Sequence, residues 1–220
     1  MTMRNLFAWG LSALPIAVVV ALVGFATLRP LTVLPRLGPA PGFALTDQDG
    51  RPLTSEDLRG SVVLYSFIAG CQPPCAPVAP LLHQLQARLA DLGTAGPPVR
   101  LVTIAVDPAA TPDLRATAAM LGADPARWTL ASGEPARLKQ IVGTGFGVFY
   151  GPAAGGAVAV DPALVLVDGW GLVRADYRAP LPPADQVLRD LRLVTDEARQ
   201  STGLARYAYE AAHLFACYPQ

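Results

Sequence analysis

The chain has 220 residues, 52% of them hydrophobic and only 15% charged, and its 17 basic and 17 acidic side chains cancel. No basic block interrupts that balance, so there is no electrostatic footprint for phosphate, and nucleic acid is excluded as a partner class. Three cysteines are too few for a disulfide-stapled scaffold, but two at close spacing suit a local pair, with the third free or engaged elsewhere.

The first element is apolar. Residues 5–28, NLFAWGLSALPIAVVVALVGFATL, carry no charge across 24 positions, and roughly 20 apolar helical residues are enough to cross a bilayer. Pro15 is compatible with this, because transmembrane helices tolerate proline. Three readings are open: an uncleaved transmembrane anchor, a cleaved signal segment with small residues around Gly24-Phe25-Ala26, and a buried helix. The first two carry the rest of the chain to or across a membrane, with the soluble body expected on the periplasmic or another extracytoplasmic side. The positive-inside bias does not itself favour export, since Arg4 and the terminal amine on one flank are matched by Arg29 and Arg36 on the other. No lipoprotein-type cysteine lies near the segment. Residues 29–42, RPLTVLPRLGPAPG, read as a stiff spacer, leaving about 180 residues for one domain with a sizeable core.

Within residues 43–194, FALTDQDGRPLT reads as strand, turn, strand, with Asp49-Gly50 as the turn signal. SEDLRG follows as a short turn capped by Thr54 or Ser55 and closed by Gly60. SVVLYSFIA is a β-branched and aromatic run suited to a central strand, and it delivers the chain to Cys71. From Pro74 or Cys75 to about Leu92 the period is helical, with Val78, Leu81, Leu82, Leu85 and Leu89 as the apolar stripe. VRLVTIAVD is another buried strand, and TPDLRATAAMLG a helix capped by Thr111 with Pro112 at its first position. Trp128 lies in a shorter segment. ARLKQIVGTGFGVFY predicts a helix closing near Gly143, GPAAGGAVAV a flexible hairpin tip, and ALVLVDGWGLVRADYR two strands around the turn Asp168 to Gly171. A helix from about Pro183 to Val194 and a C-terminal helical extension over 195–220, broken at Gly203, complete an α/β domain with a mixed sheet.

The chemistry centres on GCQPPC, with Cys71 and Cys75 between a strand and a helix. That junction suits thiolates, because free N–H groups and the helix dipole stabilise negative sulfur. A redox pair, a two-thiolate Cu(I) site and two small packed hydrophobes are all compatible with the spacing. His213 and Cys217, at i,i+4, fall on one helical face. They suit a separate metal pair or a substitute ligand brought back to the cysteines, as well as ordinary packing. His83, eight residues after Cys75, lies roughly 12 Å along a continuous helix, too far to join a metal held by both sulfurs.

With PGFALTDQDGRPLTSEDLRGSVVLYSF, the C-x-x-x-C pair, VTIAVDPAATPDLRATAAMLG, FGVFY and LVLVDGWGLV in view, the chain resembles the SCO/SenC family over about Pro41 to Tyr177. These are membrane-anchored, thioredoxin-like proteins that assist copper delivery to cytochrome c oxidase. The resemblance implies a thioredoxin-like α/β fold, Cys71 and Cys75 as copper-binding or thiol-exchanging residues, and Cu(I) as the metal. It implies an oxidase subunit or another copper or thiol assembly protein as partner. It also exposes two departures. The family's histidine ligand corresponds to Val160, which cannot bind metal. The family's second aspartate in the segment following the next strand is missing from DPAATP, leaving Asp107 alone before Thr111. A peroxiredoxin-like or glutathione-peroxidase-like site is disfavoured, because the usual threonine three residues before the first cysteine is absent.

Overall fold

The computed structural model describes residues 31–69, 78–93, 95–106, 113–153 and 158–215, together with Val19 and Gly24. The chain opens with β1 (Gly38–Pro39), the hairpin β2 (Ala44–Asp47) and β3 (Pro52–Thr54), a 3-10 turn at Glu56–Leu58, and β4 (Val62–Ala69). α1 (Ala79–Arg88) leads through a 3-10 turn at Leu89–Leu92 to β5 (Val99–Val106), α2 (Leu114–Met120) and β6 (Trp128–Ser132). α3 (Pro135–Leu138) runs into a π-helical turn, Lys139–Gly145, before the small hairpin β7 (Tyr150–Pro152) and β8 (Val158–Val160). β9 (Ala163–Val167), β10 (Leu172–Arg178), α4 (Ala184–Gln200) and α5 (Ala205–Phe215) follow.

Local chemistry accounts for several of these boundaries. The β2–β3 turn closes because Asp47 Oδ1 accepts from the N–H groups of Asp49 and Arg51 at 2.8 and 2.9 Å, while Gly50 supplies the left-handed φ of +78°. Thr54, rather than Ser55, makes the cap of the next turn. Its hydroxyl accepts from the Asp57 N–H at 3.2 Å, and the Asp57 carboxylate accepts from the Thr54 N–H at 2.8 Å. The cap of α2 is Asp113, whose side chain accepts from the Ala116 N–H; the expected pair Thr111 and Pro112 lies outside the described residues.

Eight strands form one mixed sheet in the order β1-β10-β9-β4-β5-β6-β2-β3. β4, β5 and β6 run parallel at its centre, and β9 flanks β4 antiparallel. This is the expected thioredoxin-like α/β architecture. Side chains alternate across β4, as the period of a strand requires. Leu64 and Ile68 face a core shared with Leu82 and Leu85 of α1 and Val187, Leu188 and Leu191 of α4. Val63, Tyr65 and Phe67 face a second core closed by Leu138, Ile141, Val142 and Phe146. Both faces are therefore covered, which explains why the strand reads as a nearly unbroken apolar run.

A chain of polar groups in the first core is satisfied internally. Ser66 and Thr103 hydroxyls lie 2.7 Å apart, and the indole N–H of fully buried Trp128 donates to Thr103 at 2.7 Å. Trp128→Ala is expected to cost about 3–5 kcal/mol in a denaturant titration, through the cavity and the lost indole bond.

Two expectations are corrected. Residues 29–42 are not a spacer standing off the domain, because their described part is packed into it. Val33 and Leu34 are fully buried, and β1 pairs with β10 through Gly38 and Val173. The proposed boundary at 194/195 falls inside α4, which continues to Gln200. Residues 5–28 lie outside the described residues apart from Val19 and Gly24, and no helix among the described residues is long and apolar enough to cross a membrane.

Candidate functional site

β4 ends at Ala69, two residues before Cys71, and α1 begins at Ala79 after buried Val78, three residues past Cys75. Both cysteines lie outside the described residues; what the structure defines is the frame around them. That frame is the carboxyl edge of the parallel strands, where β4 and β5 end in register at Ala69 and Val106. In a sheet with helices on its faces, this edge is where loops carrying chemistry gather.

Val160 belongs to the same edge. β9 pairs with β4 so that Leu164 lies opposite Ser66. Val160 ends β8, three residues before β9 begins at Ala163. β8, which carries Val160, packs against β4. The Val160 side chain is half-buried against the second core, opposite Tyr150 of β7. Val160, which the resemblance sets against the family histidine, is thus on a strand packed beside the one that leads toward the cysteines, and it holds an isopropyl group. That second core is aromatic: the Phe146 ring packs tilted against Phe67 and Tyr65 at centroid distances of 5.2 and 5.0 Å. Burial raises the phenol pKa of Tyr150, the direction expected where charged forms are poorly solvated. Phe149, 71% exposed, stands at the rim, and its carbonyl accepts from the Asp161 N–H at 3.0 Å.

His213 is held elsewhere. Its Nε2 lies 2.8 Å from Glu197 Oε1 on α4. The other Glu197 oxygen accepts from Arg174 Nη2 at 2.6 Å, and Arg174 Nη1 reaches Asp168 Oδ2 at 3.1 Å. Arg174 also donates to the carbonyls of Leu34 and Pro35. Arg174 neighbours Val173, which pairs with Val167, and Val167 in turn lies opposite Val63. The network therefore sits at the amino end of β4. Ala69 is six residues further along, roughly 20 Å at strand rise. The structure accordingly joins His213 to Glu197 and Arg174, not to the edge where Ala69 leads into the cysteines. Its expected companion Cys217 lies outside the described residues. His83 is exposed on α1, its ring centroid 5.8 Å from that of Trp128 in a T-shaped arrangement.

Sequence reasoning missed this buried charge network. Strict alternation would put Val173, Ala175 and Tyr177 on one face, but Val173 packs on the second core whereas Ala175 and Tyr177 lie in the first. The register slips between Val173 and Ala175, so Arg174 is the extra residue of a bulge, a device that re-aims a side chain. Burial alone would raise the pKa of Glu197, but hydrogen bonds from His213 and Arg174 outweigh it and hold the carboxyl down at about 2. A carboxylate depressed in the folded state stabilises the fold fully above its ordinary pKa and loses that contribution as pH falls. Thermal stability is therefore expected to decline as pH drops from about 4.5 toward 2, and Glu197→Gln is expected to flatten that part of the profile.

A SCO1/SenC family model matches residues 38–195. Among solved structures, a SCO1/SenC family lipoprotein from Bacillus anthracis is 25% identical with a TM-score of 0.61, over 71% of this chain and 95% of that one. BsSco, a member of the Sco family of cytochrome c oxidase assembly proteins in which a disulfide switch is identified, is 24% identical with a TM-score of 0.64, over 74% and 98%. Arabidopsis thaliana ScoI with copper bound shares the fold at 18% identity and a TM-score of 0.57, over 70% and 98%. No curated protein sequence matches the chain.

Proposed function

The chain belongs to the SCO1/SenC family, and from that premise we propose that Cys71 and Cys75 act as a dithiol centre for thiol-disulfide exchange during assembly of the copper centre of cytochrome c oxidase. The protein is held at a membrane by residues 5–28, with its body on the periplasmic or another extracytoplasmic side. Its partner is an oxidase subunit or another copper or thiol assembly protein.

The observation that carries this reading is Val160. A three-ligand copper site of the family type does not fit the residues that the resemblance implies, because the position set against the family histidine is Val160, on the strand packed against β4, and it bears no donor atom. The dithiol is unaffected by that substitution. β4 ends two residues before Cys71, so the carboxyl edge of the parallel strands is where the chain leads into the pair.

In the exchange, one thiolate attacks a sulfur of the partner's disulfide, forming a mixed disulfide and releasing a partner thiolate. The second cysteine of this chain then attacks its neighbour's sulfur in the mixed disulfide and expels the other partner thiolate. Two electrons pass to the partner, which leaves as a dithiol competent for copper, and Cys71–Cys75 becomes the disulfide. A thiol donor of the same compartment returns it to the reduced form.

Family membership supports a second reading in which Cu(I) is cargo, carried on the two thiolates alone and surrendered to an acceptor with more ligands. Competition of the reduced protein against a Cu(I) chelator tests it. The expected result is one Cu(I) per chain, lost in both C71S and C75S and retained in H213A. Absence of cysteine-dependent binding would remove the cargo reading and leave exchange. Loss of binding in H213A would overturn the placement of His213 outside the site.

A further inference from the structure

Helix α5 has two apolar sides, of which the fold uses one. Tyr209 and Ala212 are buried against Val33, with Leu31 packed alongside, and His213 turns toward Glu197. At about 100° per residue, Tyr207, Ala211 and Leu214 fall within an arc of about 60° on the opposite side, and Leu204 directly precedes the helix. Leu204, Tyr207 and Leu214 are 86%, 59% and 77% exposed. Single exposed apolar residues need no explanation, but a stripe at helical spacing on one terminal helix does.

The position of α5 relative to the chain's amino-terminal segment indicates what covers it. Leu31 and Val33 rest on the inner side of α5, and Leu31 is three residues beyond Leu28, the end of the uncharged run. Three residues reach at most about 11 Å, close to the diameter of a helix with its side chains. With residues 5–28 in a bilayer, α5 is thereby held at the membrane surface. The Arg206 guanidinium lies 4.7 Å from the Tyr207 ring centroid, so a cation borders the stripe where anionic headgroups would meet it. A second copy is a poorer occupant, because three side chains on a short helix offer far less than the about 800 Å² per partner of a stable protein interface.

We propose that α5 is an interfacial helix whose Tyr207 and Leu214, with Leu204 just before its first turn, dock on the lipid surface beside the amino-terminal anchor, fixing the orientation of the domain on the membrane. This rests on residues 5–28 being an uncleaved anchor, as read above.

The test uses the full chain, with C71S, C75S and C217S, in vesicles of phosphatidylcholine and phosphatidylglycerol. Single nitroxides are placed through L204C, Y207C or L214C, through V19C in the anchor, and through R51C as the aqueous reference. Collision with oxygen is compared with collision with a water-soluble nickel chelate. Labels at 204, 207 and 214 are expected to favour oxygen several-fold over the label at 51, at a shallower depth than the label at 19. If they match the label at 51 while 19 reports lipid, the docking is wrong and the anchor stands. If they are shielded from both quenchers, protein covers the stripe, and the proposal is equally overturned. If 19 itself reports water, the anchor reading fails and takes the docking with it.

Discussion

Val160→His is expected to raise Cu(I) affinity on the order of 10- to 100-fold, provided both cysteines are reduced. The estimate takes the effect of losing an outer-shell partner of a metal site as a floor for gaining a direct ligand. Residue 160 lies on a strand packed against β4, and its side chain is only half-buried, so an imidazole is accommodated without opening the core. Chelator competition on V160H, and on V160H combined with C71S, measures the gain and its dependence on sulfur. An unchanged affinity in V160H would show that residue 160 does not face the cysteines, and the correspondence with the family histidine would fall.

A stability effect as large as that of Trp128→Ala is expected at the other end of the sheet. Arg174→Met leaves Asp168 and Glu197, both buried, without the cation between them. Breaking a buried pair by removing one partner costs about 3–5 kcal/mol. Arg36 contacts Glu197 at 3.6 Å and Glu210 at 2.8 Å, but its side chain is 37% exposed, so R36M is expected to cost no more than about 1 kcal/mol. Urea titrations of the two variants give the contrast. A loss in R174M as small as that in R36M would mean that water compensates the network. Because Arg174 also binds the carbonyls of Leu34 and Pro35, limited proteolysis of R174M is expected to release the segment around residue 34 before the central sheet is cut.

What could be read from the sequence follows from the range of the forces involved. β4 was legible because a β-branched run between turn signals has few alternatives, and the turn from Asp168 to Gly171 because its chemistry is local: Asp168 Oδ1 accepts from the N–H groups of Trp170 and Leu172 at 2.9 and 3.0 Å. The segment 29–42 was misleading, because proline and glycine content describes a linker whether or not it is packed. Val33 and Leu34 find their partners on α5 and in the first core, which composition does not reveal. The helix expected to close near Gly143 instead passes from α3 into a π-turn ending at Gly145.

At the site, resemblance supplied Cys71, Cys75 and the correspondence of Val160, and the fold then placed Val160 beside β4. The role of His213 was hidden for a different reason. Its helical spacing to Cys217 is visible in one dimension, whereas its partner Glu197 lies on another helix, 16 residues back. The bulge at Arg174, which gives Glu197 its second partner, breaks the alternation that sequence reading relies on.

The most direct measurement is a redox titration of the full chain in membranes, with alkylation and mass analysis of Cys71 and Cys75 at each potential. A reversible two-electron couple is expected, confined to these two cysteines and poised above the about −300 mV below which structural disulfides lie. Failure to form a Cys71–Cys75 disulfide at any potential, or a bond that cannot be reduced again, would contradict exchange as the work of this protein.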